Sequence, residues 1–305
     1  MSLILSPAPH IRTSASTQRL MLNVIISLLP CVAAGIYFFG VNAAIVLAVS
    51  VVSAVLAELV WQKLAHQKVR IDDLSAVVTG LLLGLSITPH APWWMVMVGA
   101  FFAIIVVKQL FGGIGDNFLN PALAARAVLL ASWPAHMTTH YACYDAVTSA
   151  TPLFTGEGSM LQLLLGEVPG AIGETCKIAI LIGFIFLLAT KTIRWEIPVF
   201  TVGAAALLSW ILGVDPLRTV LSGGLLFGAV FMATDYVTSP MTRAAQIVYA
   251  IGIGALIVLI RKFGSYPEGV TYAILLMNIA APLLDRIMPK GHIYGHARAA
   301  KKEAK

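Results

Sequence analysis

The sequence predicts an all-α, polytopic membrane protein of about ten transmembrane helices, arranged as two inverted five-helix repeats. Three observations predict it. Of 305 residues, 59% are hydrophobic and only 11% charged, against roughly 25% charged in an ordinary soluble domain. Mean hydropathy is +0.88, and apolar runs of about span length recur from residue 20 to residue 288. A patterned stretch near residue 72 returns near residue 215, so the chain reads as duplicated.

The elements follow in order. Residues 1–19 are polar, with Pro7, Pro9, Arg12 and Arg19, and lack the apolar run and cleavage site of a secretory signal. They form a cytoplasmic N-terminal segment, and the first span is expected to direct insertion. The first repeat, 20–133, holds segments at 20–40, 42–63, 74–88, 93–111 and 118–133. A polar loop, 134–174, separates it from the second repeat, 175–288, with segments at 175–192, 195–213, 217–234, 241–263 and 267–288. A basic tail, 289–305, ends the chain. Three segments are poor spans: 74–88 and 122–133 are short, and 217–234 is interrupted by Gly223, Gly224 and Gly228. Trp61, Trp93, Trp94, Trp133, Trp195 and Trp210 all fall near segment ends, where an interfacial belt belongs.

With the N-terminus in the cytoplasm, only Lys177, Arg218, Arg261 and Lys262 of the twenty basic residues lie on the opposite side. The positive-inside rule therefore puts both termini in the cytoplasm and the 134–174 loop outside. That loop contains acids but no Lys or Arg.

The duplication rests on Asp72, Asp73, Leu74, Val77, Val78, Thr79 and Gly80 returning as Asp215, Pro216, Leu217, Val220, Leu221, Ser222 and Gly223. Each copy is the third span of a five-span unit, and an odd count inverts the second unit. Short, glycine-interrupted segments of this kind are expected to meet near the bilayer midplane, so the Gly80–Gly84 and Gly223–Gly228 segments are expected to face each other.

Polar residues interrupt the apolar sequence at two places. Residues 112–121 carry three glycines, Asp116, Asn117 and Asn120-Pro121, the last pair reading as an N-cap with proline in the first turn. The glycines lack the strand and the Gly-Lys-Ser/Thr of a nucleotide loop. Asp116, Asn117 and Arg126 either pair structurally or bind an anionic flavin or an ion. The second break is 231–240, and Glu58, Asn278 and Asp285 lie in or near spans, where ionisable and polar groups are candidates for function. Cys31, Cys143 and Cys176 form no C-x-x-C pair, so this chain alone cannot ligate a four-cysteine iron–sulfur cluster. His136 and His140 have helical spacing but read as solvated loop residues. The net charge of +6 is dispersed and points to no nucleic acid.

In the 134–174 loop, residues 145–151 read Asp-Ala-Val-Thr-Ser-Ala-Thr. The heptad fits the pattern Asp-x-x-Ser/Thr-Gly/Ser-Ala-Ser/Thr, which a flavin transferase recognises before esterifying FMN onto the final hydroxyl. Thr151 is then the acceptor, Asp145 helps orientation, Thr148 completes the pattern, and small Ser149 and Ala150 let the loop enter the transferase. A Ser/Thr-rich turn is the other reading of the same residues.

Ser6-Pro7-Ala8-Pro9-His10-Ile11, the 112–127 stretch with its Asn-Phe-Leu-Asn-Pro-Ala-Leu core, the heptad, and 231–240 together resemble the RnfD component of Rnf complexes across nearly the whole chain. The NqrB component of the sodium-pumping NADH:quinone reductase is similar, but usually has a longer N-terminal extension. The resemblance implies ten spans in two inverted repeats, FMN in phosphoester linkage to Thr151, and a second, non-covalent riboflavin. It implies a bacterial inner-membrane complex passing electrons between ferredoxin and NAD⁺ while Na⁺ or H⁺ crosses. The partners it implies are a second covalent-flavin subunit, iron–sulfur subunits, a flavin transferase and membrane lipid. The family usually has glycine where this chain has Ser149. Asn120 and Arg126 are further candidates for flavin contact. A plain small-solute channel is the alternative from another class, and a covalent flavin would have no use in it.

Overall fold

The computed structural model describes residues 16–139, 143, 159–264 and 268–287. The heptad with Asp145, Thr148, Ser149, Ala150 and Thr151 lies outside the described residues, as do His140, most of the N-terminal segment and the basic tail.

Helix α1, Thr17–Leu64, opens on Ser16, whose Oγ accepts the Arg19 N–H at 3.2 Å. It joins the two expected segments 20–40 and 42–63. Gly40 sits between them at φ 67°, ψ −150°, a region that only glycine enters without strain, and so breaks the helix in two. A 3₁₀ turn, Ile71–Asp73, leads into α2, Ser75–Leu85. Asp73 Oδ1 accepts from the Ser75 N–H at 2.9 Å and its hydroxyl at 2.7 Å, holding the start of that helix.

Helix α3, Trp93–Phe101, continues into a π-helical stretch, Phe102–Gln109, after which the Leu110 N–H reaches back five residues to the Ile105 carbonyl at 3.0 Å. Helix α4, Pro121–Ser132, starts with Asn120 as N-cap and Pro121 in its first turn, as the sequence predicts. Two short helices follow, α5, Pro134–Thr138, and α6, Met160–Leu165, the latter opened by a reciprocal Ser159/Gln162 cap.

The end of the 134–174 loop is no surface strand of chain. Residues 171–175 are buried, and the Ile172 and Gly173 N–H groups donate to the Ile87 and Leu85 carbonyls at 3.1 and 2.7 Å. The stretch thereby satisfies carbonyls freed where α2 ends.

The second half holds α7, Lys177–Ala189, α8, Glu196–Ile211, α9, Pro216–Leu221, α10, Leu225–Phe227, α11, Arg243–Phe263, and α12, Val270–Ile287. Helix therefore occupies all ten expected segments. The poorest, 217–234, is broken: Asp215 caps α9, the chain turns at Gly223 (φ 64°), and α10 runs into a π turn, Gly228–Met232. Among the described residues there is no strand.

Three helices, α1, α11 and α12, are long and apolar enough to cross a membrane, and five others are apolar but shorter. Leu22, Ile26 and Leu29 on α1, and Leu276, Ile279 and Leu283 on α12, form exposed apolar stripes at helical spacing. Such stripes suit contact with lipid, and the chain is an integral membrane protein.

Gly80, Gly84 and Gly228 do not themselves meet. A Cβ on Gly80 would lie 2.8 Å from Val51 Cα, and one on Gly84 3.1 Å from Leu47 Cδ2, both on α1. One on Gly228 would overlap Val270 of α12. These glycines let helices of their own half approach closely. The halves meet elsewhere, where Gly183 of α7 packs on the Ser27 carbonyl and Asn23 Nδ2 donates to Thr192 Oγ1 at 3.1 Å.

Candidate functional site

The two polar breaks meet across a narrow, half-open cleft between the halves, about 760 Å³ when the solvent space at its mouth is included. Val78, Leu82 and Phe231 give it apolar walls, while Asn117, Asn120 and Thr234 bring polar groups to its edge. An apolar slot with a few placed polar groups is the usual form of a small-molecule site.

Asn120 fixes this geometry. Its Oδ1 accepts the Leu123 N–H at 3.2 Å, and its Nδ2 donates to the Met232 carbonyl at 3.3 Å. With the Asn278 amide oriented to satisfy its neighbours, Asn278 Oδ1 accepts the Asn120 N–H at 3.2 Å and Nδ2 donates to Tyr249 Oη at 2.6 Å. One side chain thus ties the first break to the second. Asn117 is also buried, and its Nδ2 donates to the Leu119 carbonyl at 3.0 Å. Across the cleft Asp235 accepts from Thr238 Oγ1 at 3.2 Å, and desolvation pushes its carboxyl above the usual range.

Arg126 lies away from the cleft. It is 4% exposed, its Nη1 donates to Glu174 Oε1 at 2.9 Å, and its Nη2 pairs with Glu268. It pairs with neither Asp116, which is exposed, nor Asn117. Nearby, Lys177 Nζ donates to the Glu174 and Gly223 carbonyls, and Arg261 to those of Thr219 and Ser222. The cluster joins α4, the 134–174 loop and the start of α12. Lys177 and Arg261 satisfy carbonyls left by the break in 217–234. Asp285 is likewise structural, accepting the Met241 N–H at 3.0 Å.

Lys108, which hydropathy alone does not single out, is the cation in the cleft wall. It is 3% exposed, and its Nζ donates to Glu58 Oε1 at 2.8 Å and Ser75 Oγ at 2.5 Å. Gln109 Nε2 and Gln62 Nε2 donate to the same Glu58 oxygen at 2.7 and 3.3 Å. The signal that could have found it is a lysine inside an apolar segment, the same criterion that marks Glu58. Behind this group opens a polar vestibule of about 300 Å³, lined by Glu58, Gln109, Asp73, Lys68 and Arg70.

The model of the NQR2, RnfD, RnfE family matches residues 4–293. The chain is 48% identical over 316 residues to the D-subunit of the Na⁺-translocating ferredoxin:NAD⁺ oxidoreductase complex of Acetobacterium woodii, covering 100% of this chain and 99% of that one. It is 41% identical to the D-subunit of the proton-translocating complex of Clostridium ljungdahlii, over 92% of this chain and 93% of that one. The D-subunit of the ion-translocating oxidoreductase complex of Stutzerimonas stutzeri is 38% identical, over 90% and 91%.

Proposed function

Since the chain belongs to the NQR2, RnfD, RnfE family, we propose that it is the RnfD membrane component of an Rnf complex, coupling electron transfer between ferredoxin and NAD⁺ to Na⁺ or H⁺ translocation. The observation that carries this reading is the 48% identity to a relative of that name along the entire chain. It catalyses nothing alone and works with the other subunits, including a second covalent-flavin subunit and iron–sulfur subunits, in a bacterial inner membrane. The ten helical segments are its spans, in two inverted repeats, with both termini cytoplasmic and the 134–174 loop external.

Thr151 is the proposed acceptor of FMN. Its hydroxyl oxygen attacks the flavin-side phosphorus of FAD presented by the transferase, and AMP leaves. Asp145, Thr148, Ser149 and Ala150 form the motif that the transferase reads. The cleft is the proposed seat of the non-covalent riboflavin. Its apolar walls suit the flat face of the ring, and Asn117 and Asn120 suit the hydrogen-bonding edge. Bound there, the flavin supplies one- and two-electron chemistry, while the protein sets its position and electrostatics.

The test is mass spectrometry after co-expression with a flavin transferase. A shift of one FMN minus water is expected on the peptide containing Thr151, lost in Thr151→Ala. An unmodified Thr151 in assembled, active complex would overturn the covalent assignment.

A further inference from the structure

We propose that the pocket bounded by Lys191, Arg194 and Gln246 binds the phosphate of an anionic phospholipid from the surrounding membrane. This needs only that the chain is an integral membrane protein, and no flavin. The pocket is a half-open space of about 420 Å³ where the turn between α7 and α8 meets the second polar break. Tyr236 and Ser239 bring hydroxyls to it, and no carboxylate lines it among the described residues.

The cations are held for an anion that the chain itself does not supply. Gln246 is 7% exposed, and its Nε2 donates to the Pro240 carbonyl at 2.8 Å. That bond aims its Oε1 at Arg194, whose Nη1 donates to it at 3.3 Å. A neutral amide thus anchors the guanidinium and leaves its charge uncompensated. Among the described residues neither Arg194 nor Lys191 forms an ion pair. The two nearby acids are engaged elsewhere: Glu196 faces Arg243 at 3.7 Å, and Asp285 accepts the Met241 and Thr242 N–H groups. A planar guanidinium beside an ammonium suits phosphate oxygens, the first by a two-point contact and the second as a point charge.

The backbone at Lys191 points the same way. The Lys191 N–H donates to the Leu188 carbonyl at 3.0 Å and the Thr192 N–H to the Leu187 carbonyl at 2.9 Å, which ends α7 on a left-handed residue. That residue is Lys191, at φ 53°, a position that favours glycine. A turn that only had to end the helix would be less strained with glycine there.

The position of the pocket selects a lipid. Trp195, next to Arg194, is 53% exposed, and Val199, Leu207 and Trp210 continue from it along one exposed face of α8. Tryptophans at both ends of an apolar stripe mark the two interfaces of a bilayer, so the pocket lies at headgroup depth with an acyl-chain path beside it. Met241 on its rim is 84% exposed. The ends of the chain do not suit the pocket, since residues 1–57 contain no Asp or Glu and the 289–305 tail has one acid against five Lys and Arg.

The experiment uses the whole purified complex, delipidated in detergent and titrated calorimetrically with dihexanoyl phosphatidylglycerol. Dihexanoyl phosphatidylcholine and inorganic phosphate form the other arms. One Lys or Arg near an anionic surface is worth about fivefold in affinity, so Lys191→Gln with Arg194→Gln is expected to weaken one phosphatidylglycerol site roughly 30-fold. Lys191→Gly is expected to raise the thermal midpoint in lipid-free buffer, because glycine suits the turn, and still to weaken that site about fivefold. Flavin content is expected to be the same in every variant, which separates this result from the flavin assignment. A raised midpoint with unchanged binding in Lys191→Gly would make Lys191 a solvated charge and overturn its role. Equal binding of phosphatidylcholine would make the pocket an apolar crevice, and equal binding of inorganic phosphate a free-anion site; either overturns the lipid assignment. Unchanged affinity in the double variant overturns the site and leaves the pocket to an acidic loop of a neighbouring subunit. If the double variant does not assemble, Lys191→Gly alone decides.

Discussion

Asn120 of the first half donates its amide hydrogen to the Met232 carbonyl of the second at 3.3 Å, across 112 residues of chain. The acceptor lies in the π turn, where the regular ladder is disturbed, so the bond satisfies a carbonyl that the turn leaves available. The same side chain caps α4. Helix start, half-to-half contact and cleft edge thus depend on one amide.

Asn120→Ala removes the cap and the cross-half bond together. The cap alone is worth about 0.5–2 kcal/mol. A lower thermal midpoint and reduced non-covalent flavin are expected, with Thr151 modification intact. Asn120→Asp keeps the cap but loses the donor, so it should recover stability better than flavin content. Equal losses in both variants would assign Asn120 to stability alone.

Arg126→Ala leaves the Glu174 and Glu268 carboxylates without their buried partner. Breaking such a group from one side costs about 3–5 kcal/mol, and poor assembly is expected. Arg126→Ala combined with Glu174→Gln should recover part of it, because one uncompensated charge is removed. Detergent-resistant complex yield measures both, and no recovery in the double variant would mean the Arg126 contacts are not chiefly electrostatic.

Two helical glycines give opposite expectations. A methyl on Gly80 would lie 2.8 Å from the Val51 backbone and 3.0 Å from the Ser50 carbonyl, so Gly80→Ala should lower the thermal midpoint. Gly203 on α8 has nothing within 4 Å of such a methyl, so Gly203→Ala should be neutral or gain up to about 1 kcal/mol of helix stability. Similar effects at both sites would contradict the packing.

Cys143 should alkylate slowly. Its thiol donates to the Gly166 and Val168 carbonyls at 3.4 Å, and burial, aided by the Glu167 charge, pushes it up to about 11 from 9.0. The reactive thiolate is the deprotonated form, so near pH 8 its fraction falls roughly 100-fold below that of an unperturbed thiol. The rate should keep rising with pH until about 11, measured by peptide mass after timed maleimide exposure.

The sidedness of the chain is open to the same chemistry. A single cysteine at Ser159, the exposed cap of α6, in a background without Cys31, Cys143 and Cys176, should react with an impermeant reagent from outside intact cells. Labelling only after cells are opened would reverse the orientation.

Much of the helical layout was legible in the sequence, because apolar runs and their polar ends follow from hydration of single residues. The N-cap at Asn120 and the break near Gly223 were legible for the same local reason. What meets what was not. The partners of Arg126 lie 48 and 142 residues away, and nothing local marks Glu174 or Glu268 as its counter-ions. The glycine segments look paired by likeness, but Gly80 and Gly84 pack on α1, Gly224 on Glu174 and Gly228 on α12, since a small side chain favours close approach without choosing a partner. Lys108 was hidden by the hydropathy of its neighbours, which masks one charge in a long apolar window.

The π-helical stretch 102–109 makes the direction of Lys108 a matter of counting rather than of residue type. A wide turn accommodates one residue more than the regular ladder, and each residue in an α-helix rotates the chain by about 100°. Closing those wide turns into a regular ladder without removing a residue would rotate the chain beyond them by about 100° and swing the lysine ammonium off Glu58. The lysine and its partners would still be present in the protein, yet the charge would be carried round to another face. The contact between Lys108 and Glu58 therefore depends on the width of those turns as well as on the two side chains.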